Sequence, residues 1–167
     1  MLTLSGTTGY AINALAFLAG GECNLKMIGE ISRCSGVPSP YLAKIMRKLN
    51  EGGIVQSKRG YKGGIWLAKT PDKITLLEIV QAIDGEQYLT GCFLGSEACS
   101  DERSCPTHFF WKSMREQVAS NLATLTLADV VKFNARQKAQ VAHGEPLVSL
   151  GGQGTNGNKN GKNGKDL

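Results

Sequence analysis

VPSPYLAKIMRKLNEGGIVQSKRGYKGGIWLA, residues 37 to 68, joins two kinds of local structure. Ser39 is an N-cap residue type, and Pro40 suits a first helical position, where a missing N–H costs nothing. From there Tyr41, Leu42, Ile45, Met46 and Leu49 recur at helical spacing, predicting a helix over 40–51 with those residues inward. Ala43, Lys44, Arg47 and Lys48 fall on its other face, and Gly52-Gly53 ends it. After the glycines the pattern turns to β. Residues 54–58 and 65–68 are short strand-like runs joined by RGYKGG (59–64), whose three glycines permit the positive φ of a hairpin tip.

Upstream, Thr7 or Thr8 can cap a helix to about Leu18, with Tyr10, Ala11, Ala14, Leu15 and Leu18 on one face. Gly20-Gly21 stops it, and a second helix is expected from Lys26 to Cys34, with Ile28 and Ile31 inward. Downstream, Thr75 with Glu78 three residues later forms a capping box for a helix over 76–83, closed by Gly85. A long helix is expected from Thr107 to Leu122, with Phe110, Met114, Val118 and Leu122 recurring every four residues. Thr126 and Asp129 begin another, reaching about Gln140. The expected fold is mainly α with a small β-hairpin wing: a winged helix-turn-helix plus a long dimerisation helix. Residues 1–86 form the DNA-binding domain, 87–106 a cysteine-rich loop and 107–142 the dimerisation and C-terminal helices. Residues 143–167 form a Gly/Asn/Lys-rich tail, expected to be disordered because it has too little apolar surface to offset chain entropy.

Charge is distributed unevenly. Residues 26–69 carry nine Lys and Arg against two acids, a net +7, so the remaining residues of this +5 chain sum to −2. A localised basic field fits a polyanion partner, here double-stranded DNA. An α-helix fits the major groove, which places Ser39, Tyr41, Lys44, Arg47 and Lys48 within reach of bases and phosphates. Lys58, Arg59 and Lys62 on the wing can follow the backbone or enter the adjacent minor groove. The bland reading of these charges is a solvated helix face.

Cys92, Cys99, Cys105 and His108 follow the pattern C-x6-C-x5-C-x2-H, separated by small, turn-prone residues. Three thiolates and an imidazole on one loop can close around a metal. The set suits an iron–sulfur cluster, 2Fe–2S by preference, with 4Fe–4S or zinc as alternatives; redox-switching thiols without metal are a further one. Five cysteines argue against a disulfide framework and for a reducing, cytoplasmic setting. Cys23 and Cys34 read as ordinary buried or half-buried residues. No signal peptide or membrane span is expected. The chain shows no nucleophilic triad, phosphate-cradling loop or paired carboxylates, so no enzyme is expected. A zinc-stabilised protein-interaction module is the rival of a different class.

Several stretches resemble the IscR/NsrR family of winged-helix regulators, over about residues 2–133. They are GYA from Gly9, SPYL from Ser39, LNEGGIV from Leu49, RGYKGGIWLA from Arg59, ITLLEIV from Ile74 through Asp84-Gly85, and the three spaced cysteines. The resemblance implies a homodimer joined through the helix beginning near Thr107. It also implies an iron–sulfur cluster on Cys92, Cys99 and Cys105 whose presence or state changes DNA affinity. The fourth ligand implied is a histidine shortly after the third cysteine, which matches His108. The alternative, an acidic residue near the partner's N-terminus, finds no Asp or Glu in residues 1–21. The chain departs from the histidine-ligated members in having six rather than five residues between the first two cysteines.

Overall fold

The computed structural model describes residues 4–21, 26–60, 63–85, 88, 91–94, 99–103 and 105–142. The expected tail, Cys23 and Lys62 lie outside these. Along the described chain run α1 (Gly6–Ala19), α2 (Ile28–Ser35), α3 (Ser39–Glu51), β1 (Val55–Lys58), β2 (Gly64–Leu67), α4 (Leu76–Asp84), α5 (His108–Thr124) and α6 (Leu127–Ala142). The strands pair antiparallel from Val55 opposite Leu67 to Lys58 opposite Gly64. This is the expected architecture, mainly α with a hairpin wing.

The core gathers one face from each of α1, α2, α3, α4 and α6, together with Val55 and Ile65 of the wing. Leu15 of α1, Ile31 of α2, Leu42, Ile45 and Leu49 of α3, Ile79 of α4 and Leu127 of α6 are all buried in one cluster. Burial of each such side chain is worth about 1.5–3 kcal/mol, enough to fix which face of each helix turns inward.

Boundaries differ from expectation where a distant partner intervenes. The second helix begins at Ile28 because the Lys26 backbone pairs with Ile65 of the wing, N to O at 3.0 and 2.9 Å. Glu30 then reaches back to the Met27 N–H at 2.8 Å. Ser39 is the first helical residue rather than the cap: the N–H groups of Tyr41 and Leu42 bond to the Pro38 carbonyl. Ser5, not Thr7 or Thr8, caps α1, accepting from the Thr8 N–H at 3.1 Å. Tyr10 and Tyr41 are exposed rather than inward, their rings meeting edge to face at 5.9 Å. Cys34 is exposed too. The capping box on α4 forms as read: Glu78 N–H bonds to Thr75 Oγ1 at 3.1 Å, and Glu78 accepts from the Thr75 N–H at 2.8 Å.

α4 and α5 are tied at both ends. The Leu76 N–H bonds to Leu125 O, so the far end of α5 meets the start of α4. The chain between Gly85 and α5, where the cysteines lie, therefore bridges the other end.

Candidate DNA interface and metal centre

On α3, Lys44 and Arg47 stand on the exposed face, as read from the sequence, and Ser39 and Tyr41 are exposed with them. Arg47 lies 3.5 Å from Glu51 with both side chains largely in solvent. Such a pair is worth little, so the guanidinium is easily given up to a phosphate. Lys58 and Arg59 are exposed at the wing. Lys48 is exposed as well, but it is engaged within the fold. Its ammonium donates to the Ile83 carbonyl at 2.6 Å, capping the C-terminal end of α4. A cation there satisfies an orphan carbonyl and the helix dipole together.

Next to Ile83, Asp84 accepts from Ser5 and Thr8 of α1, each at 2.7 Å. Thr8 is fully buried in this contact. The end of α4 is thus fastened to both α3 and α1, immediately before the cysteine loop departs. Sequence reading missed this joint.

Both arms of the loop return to the start of α5. Trp111 Nε1 donates to Gly91 O at 2.7 Å, and Phe93 packs on the rings of Trp111 and Phe110. Cys92 therefore leaves from an anchored residue. On the other arm Cys99 Sγ lies 3.2 Å from His108 Nδ1. The His108 ring is buried at 2% exposure, and its Nε2 stands 2.8 Å from Asp101 Oδ1. Lys112, one turn along α5, holds both Asp101 oxygens at 2.9 Å. The Lys112 ammonium, then the His108 ring, keeps the Asp101 carboxyl below its ordinary range, and Asp101 in turn raises Lys112. Cys105 approaches the same helix start: its carbonyl accepts the His108 N–H at 2.9 Å, and its Sγ lies 3.3 Å from Thr107 Oγ1.

Among the described residues, no three Cys, His, Asp or Glu side chains are gathered into a metal-holding group. The formed element is the pair Cys99–His108. Tetrahedral bonds of about 2.3 Å to sulfur and 2.0–2.1 Å to nitrogen put two such donors roughly 3.6 Å apart. The observed 3.2 Å is close to that separation, and Asp101 occupies the ring nitrogen turned away from the thiol. A carboxylate on a ligand histidine's remote nitrogen is a regular feature of metal sites. The donor set fits a soft metal group. Asp101 and Lys112 were missed in the sequence, although Lys112 shares a helix face with His108 at i, i+4.

Beyond His108, α5 is half-buried along Trp111, Met114, Val118 and Leu122. His108 is its buried residue, while Phe109 and Phe110 are 78% and 58% exposed. Among the described residues no helix is long and apolar enough to cross a membrane.

Comparison with known proteins follows the same lines. The family model for Rrf2, described as an iron-dependent transcriptional regulator, matches residues 4–133. The chain belongs to the Rrf2 family. An HTH-type transcriptional regulator IscR from Yersinia pseudotuberculosis is 33% identical over 123 residues, 73% of this chain and 74% of that protein. One from Erwinia tasmaniensis is 33% identical over 104 residues, 62% of each chain. Among solved structures, T. potens IscR matches with a TM-score of 0.62 at 26% identity, covering 83% of this chain and 91% of that one. The B. subtilis global cysteine regulator CymR shares the fold, with a TM-score of 0.65 at 23% identity over 80% and 98% of the two chains. As an Rrf2 protein the chain is a DNA-binding transcriptional regulator and not an enzyme.

Proposed function

We propose that this Rrf2 protein is a cytoplasmic homodimer whose operator affinity is set by an iron–sulfur cluster held by Cys92, Cys99, Cys105 and His108. The observation carrying this reading is the Cys99–His108 pair, 3.2 Å apart, with Asp101 on the remote ring nitrogen. An imidazole in place of a fourth thiolate lowers the negative charge of the site and so raises its reduction potential, which suits a 2Fe–2S group answering to iron supply, oxidant or nitric oxide. Ser39, Tyr41, Lys44 and Arg47 enter the major groove, and Lys58, Arg59 and Lys62 follow the backbone at the wing. Lys48 serves the α3–α4 joint instead. The exposed aromatic start of α5 supports a dimer interface, since one small chain leaves Phe109 and Phe110 in water.

The route from cluster to DNA runs through the fastened end of α4. Ligation draws Cys99 and Cys105 together with His108 at the start of α5, on the chain that follows α4; that end of α4 is bonded to α3 through Lys48 and to α1 through Asp84. Recognition helices in a dimer must match half-sites about one helical turn apart, so a small shift at this joint changes affinity.

Zinc is the second reading, favoured by the same Cys99–His108 separation. Protein purified without oxygen decides between them. A brown sample with iron and sulfide supports the cluster; a colourless sample with stoichiometric zinc overturns it.

A further inference from the structure

The His108 ring makes two contacts of different kinds. Its Nδ1 faces the Cys99 thiol at 3.2 Å and its Nε2 faces Asp101 Oδ1 at 2.8 Å. Asp101 is paired with the Lys112 ammonium through both oxygens at 2.9 Å, so it is an acceptor only. The tautomer that satisfies both contacts carries its proton on Nε2, facing Asp101, and turns the Nδ1 lone pair to the thiol. Lys112 lies on the same face of α5 as His108, so the helix itself fixes the carboxylate against the ring. Asp101, two residues beyond Cys99, spans from the loop to the helix.

We propose that Asp101, held by Lys112, is the positioning residue that makes His108 a ligand through Nδ1, coupling the closing of the Cys99 arm to the orientation of the imidazole. This rests on the cluster reading above. Asp101 is not a ligand: it acts through the ring. Without it the imidazole can turn or take the other tautomer, and the Nδ1 lone pair is no longer presented. Losing such a carboxylate costs about 10–100-fold in metal affinity.

The test uses the full chain reconstituted without oxygen with ferrous iron and sulfide. Asp101→Asn keeps the size of the side chain but ends the acceptor-only pairing. Three measurements are made on it: the rate of cluster loss to a chelator, the coupling of nitrogen-15 histidine to the reduced cluster, and the affinity of the cluster-free protein for DNA. Expected are a roughly 10–100-fold faster loss, an altered nitrogen coupling, and unchanged cluster-free DNA binding. In the His108→Cys background there is no ring to orient, so Asp101→Asn has no effect on cluster loss there. An unchanged loss rate and coupling in the single variant overturns the proposal. So does an equal effect of Asp101→Asn with and without His108, which would make Asp101 merely part of the loop's fold. Wild-type protein that takes up no iron and sulfide overturns the cluster reading itself, and this inference with it. Wild-type protein that holds the cluster, loses it on Cys99→Ala, yet ignores Asp101→Asn overturns this inference alone.

Discussion

Gly52 sits at the end of the recognition helix with φ −78° and ψ 2°, a conformation open to any residue. Replacing it by alanine therefore adds no backbone strain, only a methyl group. That methyl would meet the Ala82 Cβ of α4 at 2.8 Å, with the Ala82 Cα at 3.7 Å. Ordinary carbon contact begins near 3.5 Å, so α3 and α4 must part by several tenths of an ångström. Overpacking of this kind costs about 1–3 kcal/mol. The same parting lengthens the 2.6 Å bond from Lys48 to Ile83 O. At about 2–4 °C per kcal/mol for a chain this size, a cost near 2 kcal/mol lowers the melting temperature by roughly 4–8 °C. Ala82→Gly alone costs about 1 kcal/mol of helix propensity. It also removes the obstructing methyl, so the double variant should be about as stable as Ala82→Gly alone, a coupling near 2 kcal/mol that thermal or denaturant unfolding of all four proteins reads directly. Additive losses, or a Gly52→Ala protein as stable as wild type, would refute the close approach of α3 and α4.

Other consequences separate roles within the basic surface and its supports. Arg59→Ala should lower the slope of log affinity against log salt by about 0.9 without affecting unfolding. Lys48→Met should do the reverse, leaving the slope unchanged and costing about 1.5 kcal/mol of stability, the lower end for a hydrogen bond from a charged donor. Thr75→Ala removes the side-chain half of the capping box on α4 and should cost about 1 kcal/mol in the same unfolding assay. The Lys69 ammonium, then the Thr75 backbone N–H, holds the Glu78 carboxyl below its ordinary 4.5. Its folded value being lowered, the stabilisation is complete above 4.5 and is lost as pH falls below that value through the folded one. Glu78→Gln should flatten the acid limb of stability by lowering stability at neutral pH, where the carboxyl is ionised, and changing it least at low pH, where the wild-type carboxyl is itself protonated.

The recognition helix, the wing and α4 were legible because their signals are local: a 3.6-residue apolar period, glycines at a hairpin tip, a threonine three residues before a glutamate. The four ligand candidates were legible from their chemistry and spacing. What could not be read were pairings across the chain. Lys48 looked like any lysine on a basic face, yet its partner is a carbonyl 35 residues away. Ser5 and Thr8 meet Asp84 from 79 and 76 residues off. Asp101 looked like a solvated loop acid, and only the turn that brings the Cys99 arm onto α5 gives it a histidine to hold. The start of α2 moved for the same reason, since Lys26 is claimed by the wing before the helix can use it.

Affinity for an operator duplex, measured on one anaerobic preparation before and after removal of the cluster and on Cys99→Ala, tests the central claim most directly. The account predicts affinities that all fall steeply with salt, with the cluster-loaded protein separated from the other two by about 5–150-fold. The same affinity in all three states would contradict it, leaving the loop without a regulatory role.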